Sequence, residues 1–331
     1  MNQFKFSVII PTQNTNNYLL KCLNNLNNQT FKNFEVLLIS ENRLENIQST
    51  NYSFKLKILE EKIFKPGEKR NYAAKISNGK YLCFIDDDAF PKINWLEVAN
   101  DFFNNNISTN KVILGGPGIL PKDDNFFSKA SNLFFCSIFV GNSKSKYLAV
   151  KGNENIDFDD WPSANMVINK EVFLELGGFD INFWPGEDSK LCMKLIKSNG
   201  KIVYKSDLIV FHYRRSNFLK HFRQIFRYSY TRGIFFQNKD KNSRKFVYTI
   251  PSLFMIYFIF IPLSLFNMIF LIPLLIFLFL LFIDALKSYK YEKNIIIIIL
   301  SRLLILSSIC CYGYGFLNSF INHKKYLGLG R

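Results

Sequence analysis

Apolar and polar positions change their period twice along the chain. From Phe6 to about Tyr213, short apolar runs alternate with amphipathic stretches. Segments 7–11, 35–39, 55–59, 81–85, 112–115, 165–168, 201–204 and 209–211 read as strands, and 18–26, 67–77, 95–103, 171–176 and 189–197 as helices. This alternation predicts an α/β domain with a mostly parallel sheet, whose ligands sit beyond the carboxyl ends of the strands. Over 217–236 the period becomes helical. At about 100° per residue Phe218, Leu219, Phe222, Ile225 and Phe226 share one side, and Lys220, Arg223, Gln224, Arg227 and Thr231 the other. A surface helix packed on the domain would show this pattern. So would a basic amphipathic helix in the bilayer interface, which the neighbouring sequence favours.

That neighbouring sequence is strongly apolar. Segments 248–266 and 268–286 each supply 19 mostly apolar residues with no charge before Asp284. Each spans about 28 Å, against roughly 30 Å of hydrocarbon. The expectation is two transmembrane helices joined tightly at Asn267, with Pro251, Pro262 and Pro273 tolerated by lipid. Segment 295–320 is interrupted by Arg302, Gly313, Gly315 and Asn318. A third crossing would leave Lys324, Lys325 and Arg331 on the far side, so an interfacial or re-entrant helix is preferred to a third transmembrane helix. The expected organisation is a catalytic domain at 1–213, an amphipathic helix and linker at 214–246, and a membrane domain at 247–331.

Charge sharpens that division. The chain has 331 residues and a net charge of +16, yet residues 1–213 hold 25 Lys and Arg against 23 Asp and Glu, and 214–331 hold 17 against 3. A nucleic-acid binder would carry such an excess on a folded polar surface. Basic residues flanking apolar runs instead mark the cytoplasmic side of a membrane protein, so no nucleic-acid partner is expected. With 48% hydrophobic residues, disorder is excluded. Six cysteines show no paired or zinc spacing, which fits buried thiols in a reducing compartment. The apolar run ending at Pro11 is too short for a signal peptide. The expected location is the inner (plasma) membrane, multi-pass, with the catalytic domain in the cytoplasm.

The sharpest candidate chemistry is an apolar strand running into Asp86-Asp87-Asp88. Residues two apart in an extended chain face the same way, so Asp86 and Asp88 converge. Adjacent carboxylates repel unless a cation joins them, and a hard divalent ion bridging a diphosphate suits them. An acidic turn capping the next helix is the plainer alternative. Lys69-Arg70-Asn71 lies in the preceding helix, where a guanidinium can hold a nucleotide phosphate. Gly177-Gly178-Phe179-Asp180 precedes Trp184-Pro185-Gly186-Glu187-Asp188, which places an acidic pair at a helix start. There the helix dipole favours an ionised carboxylate able to take a proton from a sugar hydroxyl, and capping of the helix by Asp188 is the plainer role, compatible with the first. His212 after the last strand reads as a metal ligand, a phosphate contact or a core histidine.

The order of these pieces resembles the family 2 glycosyltransferases, which have a GT-A fold, in their membrane-attached bacterial exopolysaccharide and O-antigen branch. Residues 6–14 are similar to that family's first strand and nucleotide loop, 86–88 to its D-x-D element, 177–180 to its G-G-F-D turn, and Glu187-Asp188 to its E-D motif. Gln224-Ile225-Phe226-Arg227-Tyr228 is similar to the Q-x-x-R-W element of processive relatives, and Tyr314-Gly315-Phe316 to a closing Y-G-x-G-F segment. Ser40-Glu41-Asn42-Arg43 stands in place of D-D-G-S.

The resemblance implies a nucleoside diphosphate sugar held by Pro11, Thr12, Asn14, Glu41, Arg70, Asp86 and Asp87. It implies Mg or Mn on Asp88 with Asp86 and His212. Asp188, with Glu187, would be the base of an inverting displacement. Trp184, Gln224, Arg227 and Tyr228 would face the acceptor, a polyprenyl-diphosphate-linked saccharide among membrane lipids. Four other functions remain in view. They are a processive polysaccharide synthase, a polyprenyl-phosphate glycosyltransferase, a nucleotidyltransferase and an inactive membrane scaffold.

Overall fold

The computed structural model describes residues 3–322 apart from 46, 48–51, 106–110, 142–143 and 153–155. Lys324, Lys325 and Arg331 lie outside the described residues.

Among the described residues, ten strands and eleven α-helices follow one another. They are β1 (Phe4–Thr12), α1 (Asn17–Asn27), β2 (Phe34–Ser40), β3 (Lys55–Glu60), α2 (Pro66–Ile76), β4 (Gly79–Ile85), β5 (Ala89–Pro91), α3 (Trp95–Asn105), β6 (Val112–Gly115) and β7 (Gly118–Ile119). Then come α4 (Phe126–Phe135), α5 (Lys144–Tyr147), β8 (Asn165–Asn169), α6 (Lys170–Glu175), α7 (Glu187–Lys197), β9 (Lys201–Tyr204) and β10 (Val210–His212). Last are α8 (Phe218–Gln237), α9 (Ile250–Phe260), α10 (Ile272–Ser288) and α11 (Ile295–Ile321).

The chain divides into two compact units. The first holds residues up to 121 and 145–213, and the second 122–144 and 214–322. The units divide at 213, and residues 122–144, inside the stretch expected as the catalytic domain, group with the second unit. Residues 122–144 belong with the second unit because the aromatic face of α4 needs α8 to cover it. Phe127 packs on Phe218 at 4.8 Å between ring centres, and Phe134 on His221 at 4.9 Å.

In the first unit a seven-stranded sheet runs β3-β2-β1-β4-β8-β6-β9. All neighbouring pairs are parallel except those made by β8, which runs against β4 and β6. Strict alternation along the buried strands feeds two cores. Val8, Ile10, Val36, Leu38, Cys83 and Ile85 face Leu19, Leu23, Trp95 and Leu96 of α1 and α3. Ile9, Leu37, Ile39, Leu82 and Phe84 face Ala73, Phe173 and Leu191 of α2, α6 and α7. The parallel strands β1 and β4 thus end side by side, at Thr12 and Ile85. A small sheet, β5-β10-β7, lies just beyond that edge in sequence and pairs His212 with Ala89.

In the second unit the three prolines sit in the first turns of their helical segments, where a missing N–H costs nothing. The expected 248–266 helix is therefore interrupted, with α9 passing at Ile261 into a 3₁₀ turn. The apolar stretch Ile250–Leu265 is shorter than a span. Among the described residues, 268–288 and 295–321 are the two segments long and apolar enough to cross a membrane, by length and composition. Segment 295–321, read as interrupted, is one unbroken helix. Its glycines are contact points rather than breaks. A side chain at Gly315 would strike Ser229 and Phe226 of α8, and one at Gly233 would strike Ser319 and Phe316 of α11. This reciprocal small-residue crossing is what the face-by-face reading of α8 missed. Ser229, Gly233 and Ile234 are buried with Ile225, while Phe218 and Leu219, on the same apolar side as Ile225, are 47% and 79% exposed.

Candidate active site

The acidic triplet does not continue β4 as an extended strand. It turns, with Ala89 N–H donating to the Asp86 carbonyl at 3.2 Å. Pairing of β5 with β10 then delivers a residue from 124 positions further on. His212 Nε2 lies 3.1 Å from Asp88 Oδ1, and Tyr213 N–H donates to the Asp88 carbonyl at 3.1 Å. Asp86, Asp88 and His212 offer ligand atoms that all lie within 4.8 Å of one another. Two carboxylates and an imidazole form a hard donor set that fits Mg or Mn. Asp87 turns aside and accepts the Thr12 hydroxyl at 2.8 Å, tying the ends of β1 and β4 together.

Arg70 differs from expectation. It is 3% exposed, and both terminal nitrogens meet carboxylates, Nη2 with Asp86 at 2.5 Å and Nη1 with Glu187 at 3.3 Å. A guanidinium so enclosed positions the two acids instead of offering itself to a phosphate. The Gly-Gly turn holds it there. Gly177 and Gly178 have φ of +74° and +64°, and Asn71 exchanges two 2.8 Å hydrogen bonds with the backbone of Phe179. The Phe179 ring then lies 5.5 Å from the guanidinium. A Cβ on Gly178 would come within 2.5 Å of Asn71 Oδ1, so the turn needs glycine twice over.

Glu187 and Asp188 open α7 after Gly186, which has φ of +110°. Glu187 is buried, and Asp188 is half-buried, accepting from Ser163 N–H at 3.4 Å and Ser189 N–H at 2.8 Å. The dipole argument alone gave a readily ionised carboxylate. Burial outweighs it, pushing Glu187 up to about 7 and Asp188 up to about 6. Asp160 adds to the rise at Asp188 and is itself bound to Ser189 Oγ at 2.9 Å. Sequence reading missed Asp160 and Ser163, which no motif marks.

The remaining expected residues are scattered. Pro11 is buried in β1. Asn14 and Glu41 are exposed, and Asn42 Nδ2 donates to Asn14 at 2.9 Å. Lys69, named before only with its neighbour, is buried and donates to the Thr12 carbonyl at 2.6 Å. Trp184 packs edge-on against Phe64. Gln224, Arg227 and Tyr228 lie in the second unit, where Gln224 Nε2 donates to the Tyr228 hydroxyl at 2.9 Å.

The edge where β1 and β4 end, with Asp86 and Asp88, lies within the part of the chain that a family of known sequences shares, whereas Glu187, Asp188 and His212 lie beyond it. Glycosyl transferase family 2 matches residues 7–176. The chain belongs to this family. As a family 2 glycosyltransferase it takes a sugar from a nucleotide sugar. Likeness runs end to end with a Methanococcus voltae transferase named for adding a diacetamido-dideoxyglucuronosyl group to dolichyl N-acetylglucosaminyl phosphate. The two are 26% identical over 95% of this chain and 97% of that one. GlyG of Streptococcus pneumoniae is 23% identical over 63% of this chain and 71% of its own length. Other relatives match only through a short part of their length. Staphylococcus aureus TarS is 32% identical over 30% of this chain and 19% of its own. A solved structure of the Pyrobaculum calidifontis mannosyltransferase PcManGT, in complex with GDP-Man and Mn2+, superposes with a TM-score of 0.62. It is 12% identical over 98% of this chain and 88% of that one, a likeness of fold.

Proposed function

We propose that this family 2 glycosyltransferase is inverting and divalent-cation-dependent, and that it acts at the cytoplasmic face of the plasma membrane on a lipid-linked saccharide. The observation that carries the reading is Arg70. It ties an acid of the cation-binding group, Asp86, to an acid of the basic pair, Glu187, so one buried cation sets the spacing of both halves of the chemistry.

Asp86, Asp88 and His212 would hold Mg or Mn, which supplies positive charge to the diphosphate as it departs. Thr12 and Lys69 fix the floor of the donor site, and Asn14 and Glu41 stand exposed at its rim for the nucleoside. Asp188 accepts the proton of the acceptor hydroxyl, whose oxygen attacks the anomeric carbon from the side opposite the nucleotide. An α-linked donor then yields a β-glycoside. Arg70 offsets part of the burial that raises Glu187 and holds it beside that base. The whole-length relative acts on a dolichyl-phosphate-linked sugar by its name, and the apolar second unit gives this chain the means to meet such an acceptor. In the first unit Trp184 is the candidate for the acceptor, and in the second unit Gln224, Arg227 and Tyr228 are the candidates for its lipid-linked part.

The test is a panel of nucleoside diphosphate sugars offered with a lipid-linked saccharide and with the same saccharide free in water. Transfer is expected to need Mg or Mn and to stop in Asp88→Ala. It should run at least about tenfold faster with the lipid-linked acceptor. Full activity in excess chelator overturns the cation role, and equal rates on both acceptors overturn the lipid-linked one.

A further inference from the structure

We propose that the second unit is a re-entrant wedge: residues 250–288 enter and leave the same face of the bilayer with their tip held inside the hydrocarbon, and α11 lies across their base without crossing. The inference rests on the membrane reading above and replaces the expected full crossings.

The argument begins with α8. It carries Lys220, Arg223, Arg227 and Arg232, so it lies in the interface and not in hydrocarbon. The second half of α11 runs alongside it in the same direction. Ser308 Oγ lies 3.4 Å from His221 Nε2, and Cys311 Sγ 3.4 Å from the Phe222 carbonyl. Gly315 meets Ser229, Ser319 meets Gly233, and Asn322 accepts from the Tyr230 hydroxyl. From Ser308 to Asn322, α11 therefore shares the depth of α8. The remaining half, 295–307, is about 20 Å long, too short for a bilayer. It also carries Arg302, paired with Asp284 at 2.7 Å.

The hairpin points the same way. Its two ends touch α11 at separate places. Pro251, Ser252 and Met255 of α9 meet Gly313, and Asp284 and Ser288 of α10 meet Arg302. α11 thus crosses the base of the hairpin instead of running along its legs. Between Lys245 and Asp284 no residue is charged, the tip included. Leu265 and Phe266 are 88% exposed, Met268 71% and Ile269 58%. A loop emerging into water on the far side would present polar groups. This tip satisfies its own backbone, Asn267 N–H donating to the Leu263 carbonyl at 3.1 Å and Asn267 Oδ1 accepting from Ile269 N–H at 3.0 Å. A self-satisfied apolar tip suits the hydrocarbon interior. At the base, Arg244, Lys245, Lys287, Lys290 and Lys293 cluster in sequence at both ends of the hairpin, complementary to anionic headgroups.

The test uses the full chain tagged at both ends in inverted and right-side-out vesicles. Recovery in the soluble fraction would sink the membrane reading itself. If the chain is in the membrane, both tags should be cleaved by protease from one and the same side. A tag after Arg331 cut only from the side opposite the N-terminal tag overturns the placement of α11. For the tip, Leu265→Lys with Phe266→Lys is compared with Phe246→Lys at the base, all with unchanged melting in detergent as the folding control. The tip pair should lose alkaline-wash-resistant binding by about tenfold or more, and the base variant should keep it. Retention by the tip pair equal to the base variant places the tip in water and overturns the wedge.

Discussion

Burial and like charge raise Glu187 and Asp188, and the consequence for pH has a fixed sign. Turnover should climb through about pH 6 to 7 as the pair loses its proton, and Asp160→Asn should move that limb to lower pH. Asp188→Asn should cut turnover by about 100-fold or more with little change in donor affinity. If Glu187→Gln shows that split instead, the base is its neighbour. Stability runs the other way. An acid harder to ionise folded than unfolded holds more protons in the native state, so stability falls from about pH 4 through 7. Asp188→Asn should therefore melt higher than the parent at pH 8, by roughly 2–4 °C, and equally at pH 4. The acids themselves were legible in the sequence because apolar runs deliver them. The burial of Arg70 was not, since it depends on Phe179 and Glu187 closing over α2 from more than a hundred residues away.

Among elements, those with a clear period were legible to within about three residues: strands β1–β4, β6 and β8–β10, and helices α1–α3 and α6–α8, whereas α4 and α5 went unread. Strands β5 and β7, of three and two residues, are too short to show a period, yet β5 is the strand that brings His212 to Asp88. The continuity of α11 was hidden for another reason. Glycine and serine read as interruptions when counted along one chain, and as contact points only when the facing helix is known. Gly315→Leu should force α8 and α11 apart and lower the melting temperature of the second unit, whereas Leu303→Ala, at an exposed position, should leave it nearly unchanged. Gly178→Ala should weaken donor turnover through Arg70 with the cation-binding acids untouched.

At the scale of the molecule, the composition shift at residue 214 was plain, but the excursion at 122–144 was not, because an apolar stretch such as α4 does not declare which unit covers it. That excursion bears on synthesis. Helix α4 leaves the ribosome long before α8, about 90 residues later, so its aromatic face stays uncovered for roughly 5–20 s at ordinary elongation rates. A chain ended at Tyr213 never supplies the cover, and it should aggregate or bind chaperones. Deleting 122–144 with a short bridge should restore its solubility, measured by sedimentation. In the intact chain the same interval leaves α4 open to chaperones. The chain of the first unit is therefore complete before the helix embedded within it has found its cover.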